Sequence, residues 1–199
     1  MPNPPALRYG AYYHIYNRGN NRENIFIEAR NYRYFLRLYA KYILPVADTF
    51  AYCLLKNHFH FLVRTKTFGV SETPKVSRTV SPSQAFSNLF NAYAKAINKA
   101  YQRTGSLFER PFGRVEVTSD AHFIHLIAYI HQNPQKHGLI EDFRDWPYSS
   151  YHALTSARPT RLLREETLAW FGNQGHFETF HSESVGVTQI EALLGDNFD

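Results

Sequence analysis

The stretch "LLKNHFHFLVRT" carries two histidines, His58 and His60, inside an otherwise apolar run. Imidazole both ligates metals and moves protons near neutral pH, so a close pair invites a chemical reading. In an extended chain successive side chains point to opposite faces, so His58 and His60 share one face while Phe59, Phe61 and Val63 share the other. Each ring has nitrogens that need partners once it leaves water. Spacing alone leaves two readings level. Either both imidazoles ligate one divalent ion, with positions left for a third ligand, water and substrate, or both are core histidines bonded to backbone or carboxylate.

A second stretch, "DAHFIHLIAYIHQN" (120–133), has helical spacing. Residues three, four and seven apart share a helix face, which groups His122, His125, Tyr129 and Asn133 in one stripe. Tyr129 offers a nucleophilic hydroxyl, and Asn133 offers a hard carbonyl oxygen one turn later. Packed beside the His58/His60 strand, this helix would complete a two-His, one-Asn metal site with a tyrosine next to it. Choosing one of 14 tyrosines rests on the residue four positions on: Tyr32, Tyr34, Tyr39, Tyr93 and Tyr101 are followed there by Leu36, Leu38, Ile43, Ile97 and Gly105. None of these is a ligand. Tyr148, followed by His152 in "WPYSSYHAL", is the rival, and His122 and His125 are not read as ligands.

The elements that must position these residues follow from periodicity. "YYHIYNRGNNRENIF" (12–26) starts as a strand and breaks into an Asn/Gly/Arg loop. "EARNYRYFLRLYAKYIL" (28–44) spaces Phe35, Leu38, Tyr39 and Tyr42 for a helix that Pro45 ends. Residues 48–55 and 58–65 form a hairpin around Lys56-Asn57. Residues 66–83 are polar and aperiodic, a flexible loop. A helix over 83–105 is opened by Ser83 and closed by Gly105. A last strand is clearest at Arg114–Thr118, and the helix from Asp120 exits at Pro134. The order β-α-β-β-α-β-α predicts an α+β, ferredoxin-like split βαβ fold, an antiparallel sheet with helices packed on it. Residues 1–152 are read as the functional domain and 153–199 as an acidic, helical C-terminal tail.

At 44% hydrophobic and 20% charged, the composition is that of a globular chain rather than a disordered one. No run approaches the ~18 apolar residues of a membrane helix, and "MPNPPALRYG" lacks the charged head and apolar block of a signal peptide. Cys53 is the only cysteine, which excludes an internal disulfide. A cytoplasmic protein with no membrane partner is expected. The net charge of +5 is unevenly spread: residues 1–114 hold 17 Lys and Arg against 5 Asp and Glu, whereas 115–199 hold 5 against 12. A basic, aromatic-rich half suits a phosphate backbone with unpaired bases to stack. The bland alternative is a solvated basic face.

The motif "NHFHFLV" resembles the His-hydrophobic-His motif of the HUH single-strand nucleases. With "YNRGNNRENIF", "YIHQNPQKHGLI" (129–140) and "WPYSSY" (146–151), the set resembles the one-tyrosine transposases of small bacterial insertion sequences, in the branch associated with repetitive extragenic palindromes (REP). The resemblance covers roughly Tyr12 to Tyr151. It implies a divalent ion, Mg²⁺ or Mn²⁺, held by His58, His60 and Asn133, where the wider family often has Gln at the last position. It puts Tyr129 on the nucleophile. A free phenol has a pKa of about 10, and His125, one turn before Tyr129, is the candidate base that would help deprotonate it. The reaction implied is cleavage and rejoining of single-stranded DNA beside a hairpin through a 5′-phosphotyrosyl intermediate. Arg18, Arg22, Arg30, Arg33, Arg37, Lys56, Arg64, Arg110 and Arg114 are the expected DNA contacts. Monomer and homodimer are both open, and a non-catalytic DNA-binding protein of the same fold is the alternative. A zinc protease would need a helical His-Glu-x-x-His, and a two-histidine phosphoesterase paired His-x-Thr/Ser motifs. The chain has neither.

Overall fold

The computed structural model describes residues 6–67 and 80–183. Four strands, β1 (Tyr12–Arg18), β2 (Ala47–Leu54), β3 (His58–Thr65) and β4 (Gly113–Val117), form one antiparallel sheet in the order β2-β3-β1-β4. Helix α1 (Ala29–Tyr42) connects β1 to β2, α2 (Pro82–Ala100) connects β3 to β4, and α3 (Asp120–Lys136) follows β4. This is the expected ferredoxin-like order with an added helix. Short helices α4 (Tyr151–Thr155), α5 (Arg164–Ala169) and α6 (Gln174–Ser182) complete the described chain. Most of the 66–83 loop and the end of the 153–199 segment lie outside the described residues. Among the described residues, no helix is long and apolar enough to cross a membrane.

Strand β3 is buried on both faces, as its near-continuous apolar run requires. On one face Phe59, Phe61 and Val63 pack with Phe35 and Tyr39 of α1 and with Phe86, Phe90 and Tyr93 of α2. On the other, Leu62 and Phe50 pack with Phe123, Leu126, Ile127 and Ile130 of α3. Phe50 sits at a register shift between Thr49 and Ala51 on β2. Deleting a ring such as Phe61 would cost about 3–5 kcal/mol, because neighbours collapse only partly into the cavity.

Two helices, α2 and α3, have boundaries that differ from the sequence expectation. Helix α2 is capped by Ser81, whose hydroxyl accepts from Gln84 N, with Pro82 as its first residue, and it ends at Ala100. Ser83 instead accepts from Leu7 N, and Gly105 stands in the following loop at φ 82°. Helix α3 runs through Pro134 to Lys136. Proline's fixed φ is compatible with a helix, and although its N–H bond is forfeited and its ring crowds the carbonyl four residues back, the helix continues to Lys136; His137 N then donates to Asn133 O.

The outer side of α3 is covered by α6. His131 Nδ1 lies 2.8 Å from His181 Nε2, His131 Nε2 lies 2.7 Å from Ser150 Oγ, and His181 Nδ1 donates to Phe177 O at 2.7 Å. Because both sides of α3 are covered, its buried residues run from His122 to Pro134 rather than along a narrow stripe.

Candidate active site

Helix α3 lies across the sheet face that carries His58 and His60, and it brings Tyr129 and Asn133 to them. His58 Nε2 is 3.1 Å from Asn133 Oδ1, and His58 Nδ1 is 2.7 Å from Asn57 Oδ1. A neutral imidazole has one N–H. If Nδ1–H donates to Asn57, the lone pairs of Nε2 and Asn133 Oδ1 are left 3.1 Å apart. That separation matches neighbouring ligands on an octahedral ion with bonds of about 2.1 Å, whose donors stand roughly 3 Å apart.

His60 is buried, and its Nδ1 is 2.9 Å from His14 Nε2. Its Nε2 is buried with no hydrogen-bond partner among the described residues, and so is Asn133 Nδ2. Burial first, then the neighbouring charges of His14, His58, His137 and Arg18, holds the His60 pKa well below the usual imidazole range, so the ring is neutral. His14 is pushed down to about 3 by burial and by His122. Two imidazoles and an amide oxygen could hold a divalent cation. Among the described residues no group of three or more His, Cys, Asp or Glu offers another site.

Tyr129 presents its ring edge-on to His60, with centroids 5.6 Å apart, and Lys136 Nζ lies 5.4 Å from the Tyr129 centroid. Tyr16, on β1 opposite His60, completes the wall. Burial and the nearby Tyr129 phenol raise the Tyr16 pKa. The mouth is a cleft of about 430 Å³ lined by Arg18, Arg22, Asn57, His58, Lys136 and His137, so it is basic on several sides.

Of the sequence candidates, His58, His60, Asn133 and Tyr129 come together. His125 does not join them: its ring packs on Phe180 of α6, and its buried Nδ1 has no hydrogen-bond partner among the described residues. The rival Tyr148 stacks on Tyr32 at 3.6 Å and against Trp146, with no ring contact to either histidine.

The expected DNA contacts separate. Arg18 and Arg22 line the mouth, and Lys56 is exposed on the adjoining turn. Arg30, Arg33 and Arg37 are exposed on α1, across the sheet. Arg110 and Arg114 line a second cleft of about 650 Å³ beside Lys95 and Asn98 of α2. Arg64 is tied within the chain, donating to Glu166 at 2.6 Å and lying 3.4 Å from Asp48.

His14, Tyr16 and Lys136 were not singled out by sequence. The available signal was strand parity: in "YYHIYNR" positions 12, 14, 16 and 18 share a face, and a ferredoxin-like order puts β1 beside β3.

No family model matches the chain. It is 29% identical over 107 residues to a curated protein of Haemophilus influenzae named "Putative REP-associated tyrosine transposase", a match covering 53% of this chain and 59% of that one. The chain thus spans less than two thirds of that relative. A solved structure of a REP-associated tyrosine transposase bound to a REP hairpin has the same fold, with a TM-score of 0.57 and 19% identity over 80% of this chain and 88% of that chain. In sequence and in fold, the chain is similar to the REP-associated tyrosine transposases.

Proposed function

We propose that the protein is a DNA transposase or single-strand endonuclease that cuts and rejoins DNA next to a hairpin, using Tyr129 as nucleophile. The observation that carries the reading is the placement of Tyr129 against His60 and Asn133 against His58 by one turn of α3. The relatives named above support the choice of DNA as substrate. His58, His60 and Asn133 would hold Mg²⁺ or Mn²⁺, which when bound supplies Lewis-acid polarisation and orientation of the scissile phosphate. Imidazole donors favour Mn²⁺, whereas Mg²⁺ prefers oxygen.

The chain's own residues do the rest. Arg18, Arg22 and Lys136 seat the phosphates at the mouth. The Tyr129 oxygen attacks phosphorus in line, its bond to phosphorus forms, and the bond to the 3′-oxygen breaks. The phenol's proton leaves to solvent, and a proton taken up by the departing oxygen gives a free 3′-hydroxyl. The Lys136 ammonium beside the Tyr129 ring stabilises the phenolate. The phosphotyrosyl link conserves the energy of the broken bond, so a second 3′-hydroxyl can displace Tyr129 and join strands without ATP. His58, His60, Asn133 and Tyr129 come together within one chain, which supports a site completed in cis. A cytoplasmic location belongs to the same reading.

The test is a denaturing gel of the protein with a labelled hairpin oligonucleotide carrying a single-stranded flank, in Mn²⁺. Label retained on the protein is the expected result. Binding in a native gel with no covalent label would instead mark a non-catalytic DNA-binding protein.

A further inference from the structure

We propose that His14 is a positioning residue: its Nε2 accepts the Nδ1–H of His60, which fixes the His60 tautomer and turns the Nε2 lone pair into a metal donor. The inference rests on the cation reading of the preceding subsection and adds a residue to it.

The two nitrogens are 2.9 Å apart, with ring centroids 5.1 Å apart and planes 22° from parallel, the side-by-side placement of an in-plane N–H···N bond. His14 is on the inner strand β1, two residues along from Tyr16, the residue directly opposite His60, and so on the same face. Both rings are buried, at 0% and 2% exposure, so neither is free to turn toward water for a partner.

One proton lies between the two nitrogens, and two arrangements are open. In the first, His14 Nε2–H donates to His60 Nδ1. His60 then carries its proton on Nε2, at an atom buried without a partner among the described residues. The ring could not then ligate through that atom. In the second, His60 Nδ1–H donates to His14 Nε2. His60 Nε2 then holds a lone pair, and a cation is the partner that the protein does not supply. The second arrangement uses every polar atom of His60. It also follows the general pattern in which a ligating histidine donates its other N–H to a fixed acceptor, which sets ring orientation and raises basicity. A neutral imidazole as acceptor, in place of a carboxylate, adds no charge to the donor set.

Three measurements on the full chain test this. Mn²⁺ titration followed by electron paramagnetic resonance compares the wild type with His14→Leu and His14→Gln. Leucine removes the acceptor, and glutamine offers a carbonyl oxygen in its place. The expected result is an Mn²⁺ Kd weakened roughly 10–100-fold in His14→Leu and largely restored in His14→Gln, with melting temperatures showing that both are folded. Long-range ¹⁵N–¹H spectra of the Mg²⁺-loaded wild type should show His60 protonated at Nδ1 and His14 unprotonated at Nε2, a readout that needs no variant to fold. An unchanged Kd in His14→Leu, equal losses in both variants, or a His60 ring protonated at Nε2 would each overturn the role of His14 while leaving the metal reading standing. A wild type that binds no Mn²⁺ would overturn both.

Discussion

His58 and Asn133 are 75 positions apart in the chain and 3.1 Å apart at Nε2 and Oδ1. Neither has a purpose in a hydrophobic core that an apolar residue would not serve better, since each carries a polar group that must be satisfied there. His58→Ala or His60→Ala should therefore abolish both DNA cleavage and its dependence on Mn²⁺ while leaving the protein folded. Cleavage assays with and without chelator, alongside far-UV circular dichroism, check this. Much of this constellation could be read from the sequence. Alternation put the two histidines on one face, and a four-residue step put Asn133 under Tyr129, both strictly local rules. The His14–His60 contact was not readable, because it depends on the register between β1 and β3, which local spacing does not set.

Among the elements, α3 matters most, and its position depends on what lies on either side. On the sheet side, Tyr16 fills the space above Gly113, where an added Cβ would stand 2.0 Å from the Tyr16 ring. Gly113→Ala should thus push that ring toward Tyr129 and His60. Strand-transfer rate is expected to fall at least tenfold with only a small loss in melting temperature, because β4 is a short edge strand. An unaffected rate would show that Tyr16 is not part of the wall. Element identities were legible from periodicity, whereas their ends were not. Ser81 and Ser83 are equally good caps by type, and tertiary contact with Leu7 decides between them. Pro134 reads as a stop, yet the helix continues through it.

Across the whole molecule, two distributions have measurable consequences. The first is buried histidine. His131 is held neutral by burial and by His181, and His181 is pushed down to about 4 by burial. Their folded pKa values lie below the unfolded value near 6.5, so the unfolded chain binds more protons as pH falls. Stability is then unaffected above about pH 6.5 and is lost below it, by up to about 1.4 kcal/mol per pH unit for each such histidine until its folded pKa is reached. Thermal melts between pH 8 and 4.5 should show a flat region and then a decline. His181→Phe should make that decline shallower. The second distribution is basic charge. Arg22→Ala should weaken hairpin binding and reduce the slope of log Kd against log salt by about one. Arg64→Ala should leave the slope alone and lower stability, since Glu166 and Asp48 engage that guanidinium within the chain. Sequence could count these arginines but could not sort them, because the Arg64–Glu166 contact joins residues 102 positions apart.

The chain carries 14 tyrosines, and the account requires that one of them take the DNA. Proteolytic digestion of the protein–oligonucleotide adduct, followed by mass spectrometry of the nucleotide-bearing peptide, identifies it. The nucleotide is predicted on Tyr129, with no adduct in Tyr129→Phe. A nucleotide mapped to Tyr16, Tyr148 or any other side chain would contradict the account.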